Sequence, residues 1–142
     1  MKLKHLLPFP AAVLLAGILL STAGAEEPTT PDPLVERGRI FVHNTGMCID
    51  CHSPRDEKGQ FIADKHLMGS VLPFAPTVPM PWAPAAPMIA GLEGFTNEQA
   101  VKFLMTGERP SGTPPRPPMP AYRLNEDDAK AVVAYLKSLK KP

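Results

Sequence analysis

The sequence predicts one all-α domain with unusually long, proline-rich loops. Apolar residues recur at helical spacing in several segments, above all near the C-terminal end, and no segment alternates with a period of two. Twelve of the nineteen prolines fall in two short stretches, Pro73 to Pro87 and Pro110 to Pro120, which cannot be helix interior or central strand. The 142 residues suit a single domain of ordinary size. A content of 44% hydrophobic and 20% charged residues argues against disorder. The formal net charge of +1 gives no electrostatic case for nucleic acid as a partner.

Residues 1–25 have the layout of a secretory signal peptide. Lys2, Lys4 and His5 form a positive start, Leu6 to Leu20 an apolar run, and Ala23 and Ala25 the small residues a signal peptidase requires. The apolar run is short for a membrane span and is interrupted by Pro8 and Pro10. Cleavage after Ala25 removes two of the fifteen basic residues, which leaves 13 against 14 acidic ones, a balance of −1. The expected location is the periplasm, with no stable membrane insertion after cleavage. Residues 26–31 read as a flexible lead-in and residues 32–142 as the domain.

Within the domain, Asp32-Pro33 marks a helix start: a side-chain acceptor, then a proline whose missing N–H costs nothing there. Val35, Ile40 and Phe41 form its expected apolar face, and Gly46 its stop. From Ser53 to Gly94 glycines and prolines forbid a long regular element. Thr96 and Gln99 form a capping-box pattern opening a helix with Ala100, Val101, Leu104 and Met105, stopped by Gly107. The segment Pro110 to Pro120 is expected to be extended and stiff. Asn125 caps a last helix whose Ala129, Val132, Val133, Leu136 and Leu139 share a face, with acidic residues in its first turn and Lys137, Lys140 and Lys141 near its end.

The chemistry rests on Cys48-Ile49-Asp50-Cys51-His52, a C-x-x-C-H run that is the attachment signature of a c-type haem. Two thiols three positions apart on a helical turn can each form a thioether to a haem vinyl group. The following imidazole then lies where it can coordinate the iron. Three other readings fit less well. A redox disulfide of the C-x-x-C kind normally opens a helix after a strand, and no such strand is predicted. Structural zinc needs two further ligands, and His43 and His66 form no paired spacing. A plain disulfide leaves His52 unexplained.

Haem iron has a sixth position, and methionine is the usual ligand there when electron transfer is the task. Met47 adjoins the motif too closely to reach the other haem face, Met105 belongs to a helical apolar pattern, and Met68 sits in a loop without other signals. Met80, Met88 and Met119 remain, all in loops. Met119, flanked by proline in Pro117-Pro118-Met119-Pro120, is the first choice because its restricted backbone holds a thioether at small ordering cost. Met80, in Val78-Pro79-Met80-Pro81, is the runner-up, and His66 an outsider.

The early C-x-x-C-H motif and Met119-Pro120 ahead of a terminal helix resemble the single-haem class I cytochromes c, over about Leu34 to Lys140. Glu36 to Phe41 looks like that family's first helix, with Gly38 allowing close crossing of the last helix and Tyr135 as the aromatic partner. Phe103 to Gly107, then Pro110-Ser111-Gly112, is similar to the stretch leading into the methionine loop. Cys51 to Asp56 is reminiscent of cytochromes that serve periplasmic dehydrogenases.

The resemblance implies a small cytochrome c fold with crossing terminal helices around one covalent haem c. It implies thioethers at Cys48 and Cys51 and iron ligation by His52 and Met119. His52 is expected to donate its second ring N–H to a backbone carbonyl, between Ser53 and Arg55 or further along. Trp82, Tyr122, Arg109 and Arg116 are candidates to meet the haem propionates, and Phe41, Phe95, Leu104, Val132 and Leu136 to form the apolar wall. Lys102, Arg109, Arg116 and Arg123 could line an exposed haem edge. The expected function is electron carriage between redox proteins, such as a periplasmic dehydrogenase and a terminal oxidase or another cytochrome. A small peroxidase-like haem enzyme or a ligand sensor would instead need an open sixth position.

Overall fold

The computed structural model describes residues 30–139. The leader expected over residues 1–25, most of the lead-in, and Lys140 and Lys141 lie outside the described residues.

Helix α1, Pro33–Ile40, starts as its sequence dictates: the Asp32 carboxylate accepts the Leu34 N–H at 2.8 Å and Pro33 occupies the first turn. Its apolar face differs from expectation. Ile40 is 47% exposed, whereas Val42 is fully buried. The helix widens at its end into a π-helical turn, Phe41–Thr45, and the extra residue in that turn rotates the following side chains. Gly46 follows in right-handed conformation (φ −85°), so it does not act as a left-handed stop. It is there for room: a Cβ would lie 2.6 Å from an edge atom of the Phe41 ring.

Helix α2, Cys48–His52, opens at Met47, whose φ of +47° is left-handed. The region up to Gly94 is mostly loop, as expected, with one addition to the all-α reading. Strands β1 (Ser70–Val71) and β2 (Ala85–Ala86) pair antiparallel, Ser70 opposite Ala86. Two-residue strands are too short to show alternation in a sequence. They turn the first proline cluster into a closed loop, tightened by the Leu72 N–H on the Pro84 carbonyl at 3.0 Å.

Helix α3, Asn97–Thr106, carries both bonds of the capping box, Gln99 N–H to Thr96 Oγ1 at 3.2 Å and Thr96 N–H to Gln99 Oε1 at 3.0 Å. It stops at Gly107, left-handed at φ +71°. In helix α4, Glu126–Ser138, Asn125 Oδ1 accepts the Asp128 N–H at 2.9 Å, and three acidic residues face the positive end of the helix dipole.

Helix α4 is the spine, packed against α1, α3 and the short turn Ala90–Leu92. Its crossing with α1 runs through Gly38, which lies against the Ala131 carbonyl and the Tyr135 Cβ. The core is Val42, Leu67, Ala90, Val132 and Leu136, with Phe41, Leu104, Met68 and Met88 half-buried against it. Phe95 is not part of this wall. It pairs with Phe103 at 5.9 Å between ring centroids. Met105, expected in the core, lines an open cleft with Val101 and Glu126.

Candidate functional site

The short helix α2 presents the two thiols and the imidazole of the motif within about one turn. Both cysteines are free and half-buried. Burial pushes the Cys48 thiol up to about 11, and Cys51 shifts the same way for the same reason.

His52 is the most constrained of the three. Its side chain is buried, and Nδ1 lies 2.7 Å from the Pro87 carbonyl oxygen, thirty-five residues further on. A carbonyl can only accept, so Nδ1 carries the proton and Nε2 is left with its lone pair. Burial holds the ring below the ordinary imidazole pKa, against the opposing pull of that carbonyl. The result is a neutral imidazole of one tautomer and one orientation, with Nε2 free to ligate. Of the two places expected for the orienting carbonyl, it lies in the second, further along the chain than Arg55. It belongs to the last residue of the first proline cluster, which the β1–β2 pairing brings back beside the motif. The part played by that cluster was not legible in the sequence.

The second cluster lies beside the first. The Ala83 N–H donates to the Pro117 carbonyl at 2.7 Å. Met119, in the same segment, is half-buried, and its N–H reaches the Arg116 carbonyl at 3.3 Å. Met80 is 46% exposed, and Met88 packs against the core. His66 packs elsewhere, its ring 6.2 Å from that of His43 and 5.7 Å from that of Phe61. The pairing of His43 with His66 was invisible to sequence spacing because the two rings come from elements that lie apart in the chain, a π-helical turn and a loop.

Of the four candidates for propionate contact, two have their polar groups engaged within the protein. Tyr122 donates its hydroxyl to the Gly46 carbonyl at 2.6 Å, and Arg109 donates to the Pro114 carbonyl at 2.7 Å. Arg116 is exposed. Trp82 differs: its Nε1–H is buried and has no partner among the described residues. A buried donor left unmade is costly, and a haem carboxylate is a group that would satisfy it. The apolar surroundings agree, since no aromatic side chain among the described residues is fully buried. The large rings wait at half exposure around a core of aliphatic residues. The residues present thus fit a flat apolar group with acidic edges.

Comparison with known proteins decides the family. The Cytochrome c family, described as "Cytochrome c", matches residues 35–140. The chain belongs to the cytochrome c family. It is a c-type cytochrome that carries covalent haem c, with Cys48 and Cys51 in the C-x-x-C-H motif and His52 placed for haem ligation. The helical fold with its one two-stranded pair is that of a small cytochrome c. No curated protein matches the chain. Among the described residues of this cytochrome, no helix is long and apolar enough to cross a membrane.

Proposed function

We propose that this cytochrome is an exported one-electron carrier in which His52, through Nε2, and Met119 would hold the haem iron. The observation that carries the reading is the buried bond between His52 Nδ1 and the Pro87 carbonyl, because it fixes a ligand that must not move between oxidation states. Haem c supplies the ferric–ferrous couple that makes single-electron exchange possible. The protein residues do the rest. Cys48 and Cys51 would hold the haem through thioethers, each formed by adding a thiol across a vinyl group with no net redox change. Met119 is supported by its half-buried place in a proline-restricted segment tied to the first loop, whereas exposure argues against Met80. Trp82, whose buried Nε1–H lacks a partner among the described residues, would be satisfied by a propionate.

The leader over residues 1–25 directs the chain to the periplasm, where its partners are redox proteins, such as a dehydrogenase and a terminal oxidase or another cytochrome. N-terminal sequencing of protein from the periplasmic fraction is expected to begin at Glu26.

The ferric optical spectrum tests the ligation. The native protein is expected to show the methionine–iron charge-transfer band, and Met119→Ala to lose it. Persistence of the band in that variant would move the assignment to Met80 or Met88. Its absence from the native protein, together with rapid binding of added ligands, would replace the carrier with a haem enzyme or a sensor.

A further inference from the structure

Ser53 follows the histidine directly, is 1% exposed, and uses its hydroxyl for one purpose. Its Oγ accepts the N–H of Leu67 at 2.9 Å. Leu67 is fully buried and left-handed, at φ +59°, a conformation that a branched side chain holds only where its surroundings impose it. The imposition comes from both ends of the residue. Ser53 holds the N–H, and the Leu67 carbonyl accepts two further N–H groups, Ile89 at 2.9 Å and Ala90 at 3.2 Å. Those two donors lie just after Pro87.

A second bond runs parallel to the first. The His52 carbonyl accepts the Gly69 N–H at 2.8 Å. Gly69 is itself left-handed at φ +87°, and a Cβ there would lie 2.8 Å from the Met88 nitrogen and 3.1 Å from the Pro87 carbonyl carbon. Residues 67–69 therefore form a wedge, bonded on one side to His52 and Ser53 and seated on the other against residues 86–90. Pro87 has no N–H of its own, so nothing can tether it through a donor on the side that precedes its ring. Its carbonyl is placed by its neighbours.

We propose that Ser53 is a positioning residue for His52: through Leu67 it places the Pro87 carbonyl at Nδ1 and so sets the basicity of the iron ligand. The inference rests on the reading of His52 as that ligand. Ser53 touches no reacting group. Without its hydroxyl the Leu67 N–H is left buried and unpaired, the left-handed turn relaxes, and the segment holding Pro87 shifts with it. A longer bond to Nδ1 makes the imidazole a weaker base, which disfavours the ferric state.

The test uses holoprotein and two readouts, the reduction potential and the exchange rate of the His52 ring N–H measured by NMR in the ferrous state. Ser53→Ala is expected to raise the potential and to speed that exchange about five- to tenfold. Ser70→Ala removes a hydroxyl bonded locally to the Val71 carbonyl and is expected to change neither. If Ser53→Ala yields no holoprotein, Gly69→Ala acts on the other bond of the wedge, and the same two changes are expected. Lower thermal stability with both readouts at native values, in whichever variant is measured, overturns the proposal and leaves Ser53 as ordinary core packing. Failure of the ligand reading is distinguishable. It shows in the native protein, whose His52 ring protons would lack the shifts of an iron-bound imidazole.

Discussion

Gly38 on α1 lies against the main-chain carbonyl of Ala131 on α4, and no side chain fits between them. Even a methyl group would also come within 2.8 Å of the Tyr135 Cβ. Neither neighbour can yield cheaply, because one is helix backbone and the other is the root of a side chain. Gly38→Ala, which would otherwise favour the helix, is expected to destabilise the holoprotein by about 2 kcal/mol or more. Thermal or denaturant unfolding measures the cost. A variant as stable as the native protein would mean that the helices can separate freely.

Tyr122 holds the turn that precedes the haem motif. Its hydroxyl donates to the Gly46 carbonyl at 2.6 Å from seventy-six residues away, and its ring meets Phe41 edge-on at 6.2 Å. Tyr122→Phe keeps the ring contact and removes the bond. The expected loss is about 1 kcal/mol in holoprotein unfolding, with haem attachment intact.

Trp82 carries the unpaired indole N–H, and the propionate reading makes a signed prediction. A hydrogen bond to a charged acceptor contributes about 1.5–3 kcal/mol. Trp82→Phe holoprotein is expected to lose stability in that range. An unchanged or more stable variant would show that the donor has no haem partner, since removing a buried orphan relieves a penalty.

His43 gives the fold a pH dependence. Burial, then the Arg39 and His66 charges, hold it below the ordinary 6.5, and Tyr135 Oη lies 2.7 Å from its Nε2. Glu36 bears on the same corner, paired with Arg39 at 2.7 Å. The unfolded chain therefore binds a proton on this ring at a higher pH than the folded chain does. The stability contributed is complete above 6.5 and is lost as the pH falls from there through the depressed folded value. Denaturant unfolding of holoprotein at about pH 7.5 and about pH 5.5 is expected to show a steeper loss for the native protein than for His43→Gln.

Removal of the haem is expected to unfold the chain. The fully buried apolar side chains among the described residues are alanine, valine and leucine alone, a thin core for so many loops. The double variant Cys48→Ala, Cys51→Ala cannot hold haem covalently. It is expected to show weak helical circular dichroism and no cooperative thermal transition. A near-native spectrum that melts cooperatively would show that the polypeptide suffices.

What could be read in the sequence was local. Asp32, Thr96 with Gln99, and Asn125 announce their helices because a cap needs only its neighbours. The C-x-x-C-H run is likewise contained within one helical turn. The rest depended on distant pairings. The Pro87 carbonyl, the left-handed Leu67 and the stacking of His43 on His66 join helical residues to loops that follow no period. Val42 was missed for another reason: a π-helical turn shifts the face, and helical spacing assumes that no such turn occurs.

The bond between Ala83 and the Pro117 carbonyl fastens one proline-rich segment to the other. One of these straps ends at the carbonyl that His52 holds, and the other carries Met119. The two are buckled together, so neither lifts alone. Strain that reaches one strap, whether from a docking partner or from a change of charge at the metal, is shared with the other. The stiffness of the site is thus a property of the closed loop of chain and belongs to neither strap by itself.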